Sequence, residues 1–137
     1  MGLDPGYRRL FIEVIRDYAA DGKRSILLTS HIIQDLEGLI DDVVIYQRGR
    51  VLVDTQAAKL TGGFRKFSFV TNTGFADAFD EVRQLRLEKG PKRSAICGFL
   101  DGETAQAELS RRSVVVEDLR PEPLSLEDTF IALTGKY

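Results

Sequence analysis

The sequence is poor in the residues from which metal and redox sites are built. Among 137 residues it has one cysteine, one histidine and no tryptophan. A lone cysteine cannot form an internal disulfide, and one histidine with one cysteine cannot supply the usual four ligands of a structural zinc ion. We therefore expect no disulfide and no metal centre, and the cysteine content fits a reducing compartment.

The sequence also lacks a surplus of positive charge and long apolar runs, which excludes two classes of protein. The 19 lysines and arginines are outnumbered by 21 aspartates and glutamates, giving a net charge of −2, so no surplus of cations is available to neutralise a nucleic-acid backbone. No apolar run approaches the ~20 residues of a membrane-spanning helix, and no basic-then-apolar leader opens the chain. With 43% hydrophobic and 29% charged residues, the composition is that of a globular protein with one ordinary domain or two small ones.

Common catalytic motifs are also absent. The sequence contains no G-x-x-x-x-G-K-[ST] phosphate loop, no G-x-G-x-x-G and no G-x-S-x-G. Cys97 lies in an apolar stretch and is predicted to be a small buried hydrophobe rather than a nucleophile. The acidic pairs Asp41-Asp42 and Glu117-Asp118 are adjacent in sequence, so in extended backbone their side chains point to opposite faces and cannot act together.

The first half of the chain predicts an α/β arrangement. Asp4-Pro5 is a helix-start signal and Asp21-Gly22 a helix-end signal, because Asp caps a helix, Pro fits its first position and Gly ends it cheaply. Between these signals runs an apolar stripe at helical spacing: Tyr7, Leu10, Phe11, Val14, Ile15 and Tyr18. The pattern predicts one helix from Pro5 to about Ala20.

The residues that follow this helix predict strands and shorter helices. Residues 25–30 form a short apolar run without alternation, typical of a strand buried on both faces. A second helix is predicted to begin at His31 or Ile32 and to reach Ile40. Residues 43–46 and 50–53 predict a hairpin around an Arg48-Gly49 turn, and a short helix is predicted over 55–60.

The second half predicts a small separate domain. Its elements in chain order are a strand over 66–71, a helix over 75–82, strands over 85–88 and 94–99, a helix over 104–109 and a strand over 114–116. This is the β-α-β-β-α-β order of ferredoxin-like folds. A final helix is predicted after Ser125, which has capping-box spacing to Asp128. With a break near Gly62-Gly63, we predict domains over 1–62 and 63–137.

His31 is the candidate binding residue in the first half. It follows the predicted strand over 25–30 directly, and ligands of parallel α/β sheets bind beyond the carboxyl ends of the strands. Its imidazole can donate a hydrogen bond to a phosphate oxygen. The alternative reading is that His31 only caps or packs at the start of the following helix.

Several segments together resemble the ATP-binding subunits of ABC transporters. They are Gly2-Leu3-Asp4-Pro5 opening a helix, a strand ending in Ser30-His31, the acidic residues Asp35, Glu37 and Asp41 before Val43-Val44-Ile45, and Gly49 before Arg50-Val51-Leu52-Val53. The tail over 124–135 resembles the end of subunits that serve drug, antibiotic or lipid exporters. Residues 64–119 match only in general character. The resemblance implies the C-terminal part of a P-loop ATPase domain followed by the ferredoxin-like domain, an α/β (α+β) fold.

The resemblance also implies roles for individual residues. Gly2, Leu3, Asp4 and Pro5 correspond to the D-loop, which faces a second ATPase subunit across a nucleotide-sandwich dimer. Asp4 would cap its own helix and help arrange the partner's catalytic site. His31 corresponds to the switch histidine, which contacts the γ-phosphate of ATP and the attacking water. The sequence departs from the family at Asp35, where Glu is common, and at Asp42, where a basic residue is common.

The family's phosphate-binding loop, signature motif and Mg²⁺-holding acidic motif lie upstream of Gly2 in such subunits. The chain is therefore expected to be a C-terminal piece, inactive alone and without bound ATP or Mg²⁺, of a subunit that couples ATP hydrolysis to export. Implied partners are the missing N-terminal part of its ATPase domain, a second ATPase subunit and a transmembrane permease that holds the subunit at the cytoplasmic face of the membrane.

Two further expectations concern the chain by itself. Its uncovered apolar faces predict association into a homo-oligomer. The alternative to the transporter reading is a self-sufficient ferredoxin-like regulatory or ligand-binding module without ATPase activity.

Overall fold

The computed structural model describes residues 4–30 and 33–135, and the side chain of Asp35 is not described. Gly2, Leu3 and His31, to which the sequence assigns site roles, lie outside the described residues. Internal packing divides the chain between Asp41 and Asp42 into two units, which are described separately. This packing division does not test the predicted domain border near Gly62, which stays a prediction.

The first unit is built on one helix, α1, over Pro5–Ala19. The helix begins where the sequence predicts, because the Asp4 carboxylate accepts a hydrogen bond from the Gly6 main-chain N–H at 2.8 Å and Pro5 takes the first helical position. It ends one turn before Gly22, whose φ of 66° reverses the chain. No residue of α1 is buried.

Two predictions for this unit are wrong. Residues 23–30 form no strand, and Leu27 in their centre is 92% exposed. A strand requires a neighbour to pair its N–H and C=O groups, and the described part of this unit contains no strand that could be that neighbour. In place of the second helix there is a single 3₁₀ turn over Gln34–Leu36, followed by Gly38 with a φ of 80°.

The second unit opens with the predicted hairpin, made of β1 (Asp42–Gln47) and β2 (Arg50–Gln56). Its turn residues Arg48 and Gly49 both have positive φ, which is the backbone that a tight hairpin of this twist requires. Ile45 pairs with Val53 across the hairpin and both are buried. Because β2 extends to Gln56, the helix predicted from 55 begins later, as α2 over Ala57–Gly63.

A five-stranded antiparallel sheet forms the body of this unit. Its strands are β3 (Phe64–Val70), β4 (Ala78–Asp80), β5 (Leu85–Glu88), β6 (Ser94–Phe99) and β7 (Glu117–Glu122). Their spatial order is β4-β5-β6-β3-β7, so β3 pairs with both β6 and β7. Two further helices are α3 (Gly102–Arg111) and α4 (Leu126–Thr134).

The predicted β-α-β-β-α-β order is wrong at its first helix. Residues 75–82 contain strand β4 instead, with Ala78 opposite Leu87 of β5. Phe75 and Ala78 still pack against the core, whereas Val82, the last residue of the supposed helical stripe, is 94% exposed. The unit is therefore a mixture of helices and antiparallel sheets in which β4 replaces the first crossover helix.

The last predicted strand is displaced along the chain. Val114 is buried in the core without belonging to a strand, and β7 begins three residues later at Glu117. Ser113, with a φ of 59°, ends the α3 segment and redirects the backbone. Pro121 lies inside β7, which is an edge strand, the position where a strand tolerates proline.

The core of the second unit lies between the sheet and α3. Phe69 of β3, Ile96 of β6, and Ala105 and Leu109 of α3 all have exposed fractions of 0%. The N-terminus of α3 is capped by Asp101, whose carboxylate accepts from the Thr104 N–H at 2.8 Å. Burying a Phe, Ile or Leu side chain contributes about 1.5–3 kcal/mol, so this cluster supplies much of the unit's stability.

The final helix α4 forms as predicted. Ser125 and Asp128 make a reciprocal capping box, with each side chain accepting from the other residue's main-chain N–H. The carbonyls of the last turn are also held from outside, because Arg86 Nε donates to Ala132 O at 2.6 Å and Gln47 Nε2 to Thr134 O at 2.5 Å. α4 therefore links strands β1 and β5. Across the described residues, helices are too short or too polar to traverse a bilayer.

Candidate functional site

Asp4 is the only residue with a predicted catalytic role whose structure is described. Its carboxylate accepts from the Gly6 N–H, its carbonyl accepts from the Arg8 N–H at 3.0 Å, and the residue is exposed. The predicted capping function is confirmed by these contacts. The roles of Asp4 towards a partner's catalytic site and of His31 towards ATP stay predictions, as does the interface assigned to Gly2, Leu3, Asp4 and Pro5.

The apolar stripe of α1 forms an exposed face directly after Asp4. Its members are between 48% and 66% exposed: Tyr7, Leu10, Phe11, Val14 and Tyr18. Single exposed apolar residues are ordinary, but five on one face of a helix form the kind of patch that marks an interface. The first unit thus carries an apolar surface next to the Asp4 cap.

A buried carboxylate in the second unit was not predicted as a feature. Glu108 of α3 is 5% exposed and is paired with three arginines: Arg83 at 3.1 Å, Arg111 at 2.6 Å and Arg112 at 2.9 Å. The hydrogen bond from Arg111, with those from Arg112 and Arg83, lowers the pKa of Glu108 to about 2 against the opposing effect of burial. Glu108 is therefore ionised at neutral pH and fully paired, which suits a structural anchor and not a general acid.

The sequence carries part of this signal. Arg111 and Arg112 stand three and four residues after Glu108, the spacing at which side chains meet on a helix. Arg83 lies 25 residues away along the chain and comes to the cluster through the fold, so its contribution could not be read from spacing.

A second polar cluster is centred on Arg93, the residue before β6. Arg93 donates to Ser68 Oγ at 3.0 Å and to the Asp118 carboxylate at 2.8 Å. Hydrogen bonds from Arg120 and then Arg93 lower the pKa of the Asp118 carboxyl. Asp118 has a positive φ of 55°, so these contacts hold a left-handed residue in an edge strand. The cluster is a structural brace between β3, β6 and β7.

Cys97 behaves as predicted. The residue is buried in β6 with a 3% exposed fraction, and burial raises the pKa of its thiol to about 11. The thiol therefore stays protonated at neutral pH and is a poor nucleophile. Among the residues that the structure describes, no three His, Cys, Asp or Glu side chains are grouped so as to hold a metal ion.

A polar cavity of about 230 Å³ lies in the second unit between two loops. It is lined by Thr71, Asn72, Thr73, Gly74, Phe75, Lys89, Gly90, Pro91, Lys92 and Ser94. The two loops lie far apart in sequence and meet because β3 pairs with β6, which places Phe69 opposite Ser94. No sequence motif pointed to this cavity.

Comparison with known proteins finds ATP-binding proteins of export and drug-resistance systems among the relatives, although no family model matches the chain. The Nod factor export ATP-binding protein I of Paraburkholderia xenovorans is 30% identical and that of Rhizobium meliloti 31% identical. The daunorubicin/doxorubicin resistance ATP-binding protein DrrA of Streptomyces peucetius is 26% identical. The chain is a distant homologue of ABC transporter ATP-binding proteins.

The alignments cover different shares of this chain and of its relatives. Each of these alignments covers 98% of this chain, so the similarity includes residues 64–119, where the sequence resembles the family only in general character. The second unit is therefore shared with these relatives and is not an unrelated addition. The chain spans 40% to 44% of the length of these relatives.

Proposed function

We propose that this chain is part of the ATP-binding subunit of an ABC exporter, and that the whole subunit couples ATP hydrolysis to export. The observation that carries the proposal is alignment along 98% of the chain to proteins named for Nod factor export and for daunorubicin/doxorubicin resistance. Two helix caps support it. Asp4 caps α1 within the segment that resembles the D-loop, and Ser125 caps α4 within the segment that resembles the exporter-type tail.

In this proposal His31 contacts the γ-phosphate of ATP and the attacking water, and Asp4 acts across the dimer of ATPase subunits. Phosphoryl transfer suits these roles, since its catalysis consists mostly of positioning and of stabilising spreading negative charge. The sequence has no phosphate-binding loop, so the main-chain N–H groups and lysine that would hold the phosphates, and the groups that would hold Mg²⁺, belong to the rest of the subunit.

The exposed face of α1 supports the same proposal. A stripe of five apolar side chains left at least 48% exposed requires a cover. We propose that the remainder of the ATPase domain covers it in the whole subunit, and that copies of this chain alone associate through it. A second ATPase subunit meeting residues 2–5 and a transmembrane permease, which places the subunit at the cytoplasmic face of the membrane, complete the proposed assembly.

A chimeric subunit tests the proposal. In the Rhizobium meliloti protein, the segment that aligns with this chain is replaced by this chain, and phosphate release from ATP is measured with the purified product. We expect turnover in the chimera, a loss of at least about 100-fold for His31→Ala, and reduced turnover for Asp4→Asn, which keeps the helix cap but removes the charge. Calorimetry on the chain alone is expected to show no micromolar ATP binding.

Lys59→Gln provides the matched control, because Lys59 is an exposed residue of α2 remote in sequence from both candidates. It should leave turnover of the chimera unchanged. Full activity of the His31→Ala chimera, or micromolar ATP binding with turnover by the chain alone, would overturn the proposal.

A further inference from the structure

The cavity between residues 71–75 and 89–94 presents hydrogen-bond donors and no acidic side chain. Its lining residues carry three hydroxyls, one carboxamide and two ammonium groups, from Thr71, Thr73, Ser94, Asn72, Lys89 and Lys92. Gly90 keeps the lysine-bearing turn in this shape, because a Cβ at Gly90 would lie 1.9 Å from the Arg93 carbonyl oxygen. Residues with hydrogen-bond donors from two loops therefore surround one volume.

Ser94 is the most buried residue of the lining. It is 6% exposed, and its hydroxyl makes no hydrogen bond to any described residue. Within the described chain every fully buried side-chain nitrogen or oxygen has a partner. The Ser94 oxygen, which has no partner, is therefore not fully buried, and the residue lines the cavity. An accessible hydroxyl without a protein partner is able to donate to a group that enters the cavity.

The two threonines leave their hydroxyl protons free to donate. Thr71 Oγ1 accepts from the Thr73 N–H at 3.0 Å, and Thr73 Oγ1 accepts from the Val115 N–H at 3.2 Å. Both oxygens are thereby held in place as acceptors, and neither O–H has an acceptor among the described residues. Held in this way, the hydroxyls are oriented before any ligand arrives, which lowers the entropy cost of binding.

The charge of the cavity is positive. Lys89 and Lys92 are exposed and form no ion pair with the described part of the chain. The Asp77 carboxylate does not line the cavity, and its Oδ1 accepts a hydrogen bond from the Lys89 main-chain N–H at 2.6 Å. The Arg93 guanidinium is paired with the Asp118 carboxylate. The lining thus includes two lysines and no acidic residue.

We propose that this cavity is a binding site for a phosphate group, with Lys89 and Lys92 neutralising its charge and the Ser94 hydroxyl donating to one of its oxygens. Charge-assisted donors around one volume fit a tetrahedral oxyanion better than a neutral ligand. The volume of about 230 Å³ admits the group together with a short polar substituent. The site is independent of the ATPase proposal, since none of its residues belongs to the predicted nucleotide-binding set.

Titration of the full chain with inorganic phosphate, followed by amide chemical shifts at constant ionic strength, tests the site. We expect saturable shifts at residues 71–75 and 89–94 with a Kd on the order of 1 mM or tighter, and no such shifts with chloride. Glycerol 3-phosphate and vesicles containing phosphatidic acid then separate a soluble phosphoester from a lipid headgroup. Binding of either phosphate source supports the proposal, whereas shifts that are absent or spread over the whole surface contradict it.

Variants distinguish a site from general attraction of anions. Lys89→Gln with Lys92→Gln should weaken phosphate binding at least about tenfold, and the matched Lys59→Gln should not change it. Ser94→Ala should weaken binding while leaving the urea midpoint unchanged or higher, because the hydroxyl that it removes has no partner. A lower urea midpoint for Ser94→Ala would show that Ser94 has a structural role. An equal loss of phosphate binding for Lys59→Gln would show that the lysines attract anions nonspecifically. Either result would overturn the proposal.

Discussion

The two units of the chain use similar apolar patterns with opposite results. On α1 five apolar side chains at helical spacing remain between 48% and 66% exposed. In the second unit Ala105 and Leu109, also four residues apart on a helix, have exposed fractions of 0%. The difference lies in the facing surface, because α3 lies against Phe67 and Phe69 of a five-stranded sheet while the described part of the first unit has no sheet.

This contrast teaches what an amphipathic pattern specifies. It determines which face of a segment is suited to burial, but the cover must come from another element, and that element need not belong to the same chain. Under the proposed function, the cover for α1 comes from the rest of the ATPase subunit. The second unit, by comparison, has its own hydrophobic core.

The largest expected effect comes from removing one phenylalanine in each unit. Phe69→Ala deletes a fully buried ring of the core, and we expect a loss of about 3–5 kcal/mol in the free energy of unfolding. Phe11→Ala removes a ring that is 48% exposed on α1, and we expect a change within about 0.5 kcal/mol. Urea unfolding followed by circular dichroism measures both variants.

The same two variants can also contradict the contrast between an uncovered α1 and a packed second unit. If Phe11→Ala cost as much as Phe69→Ala, the first unit would have a packed core of its own, and α1 would not require a cover. Light scattering at several protein concentrations serves as a control, since self-association through α1 would make the effect of Phe11→Ala depend on concentration.

A middle-sized effect is expected from the buried carboxylate of the second unit. Glu108 has a folded pKa of about 2, below its ordinary value of 4.5, so its ion pairs stabilise the fold above pH 4.5 and this stabilisation is lost as the pH falls towards 2. Glu108→Gln should lower the free energy of unfolding by about 2 kcal/mol at pH 7, because it leaves three arginines underpaired. The deficit should shrink between pH 4.5 and 3.

Glu103→Gln on the same helix is the matched control for this charge effect. Glu103 is exposed in the first turn of α3, and its replacement should change the free energy of unfolding by no more than about 0.5 kcal/mol. A deficit for Glu108→Gln that stayed constant from pH 7 to pH 3 would show that shape, and not charge, makes Glu108 important.

Features governed by local chemistry were predictable from the sequence. Asp4 and Ser125 cap the helices that they were expected to cap, and Arg48-Gly49 forms the expected hairpin turn. Each depends on a few neighbouring residues, so no distant partner had to be known. Strands β5 and β6 were also predicted, because each combines a short apolar run with a neighbouring turn.

Features that depend on distant partners were not predictable. The apolar residues at 75–82 fit a helix by spacing, but Phe75 lies 6.0 Å from the Phe69 ring and Ala78 pairs with Leu87, so tertiary contacts select a strand. Residues 25–30 have strand composition, but the described part of the first unit contains no strand with which they could pair. The candidate phosphate site was not predicted either, because Ser94 comes close to residues 71–75 only through the pairing of β3 with β6.

The smallest expected effect compares the two helix caps. Ser125→Ala removes the capping box of α4, whose Leu126, Ala132 and Leu133 are buried, so its cost of about 1 kcal/mol should appear in the cooperative unfolding of the second unit. Asp4→Ala removes a similar cap from α1, in which no residue is buried, and should lower helix content while leaving that cooperative transition unchanged. Amide exchange resolved by residue separates the two outcomes. Faster exchange in the core of the second unit after Asp4→Ala would show that the two units are energetically coupled.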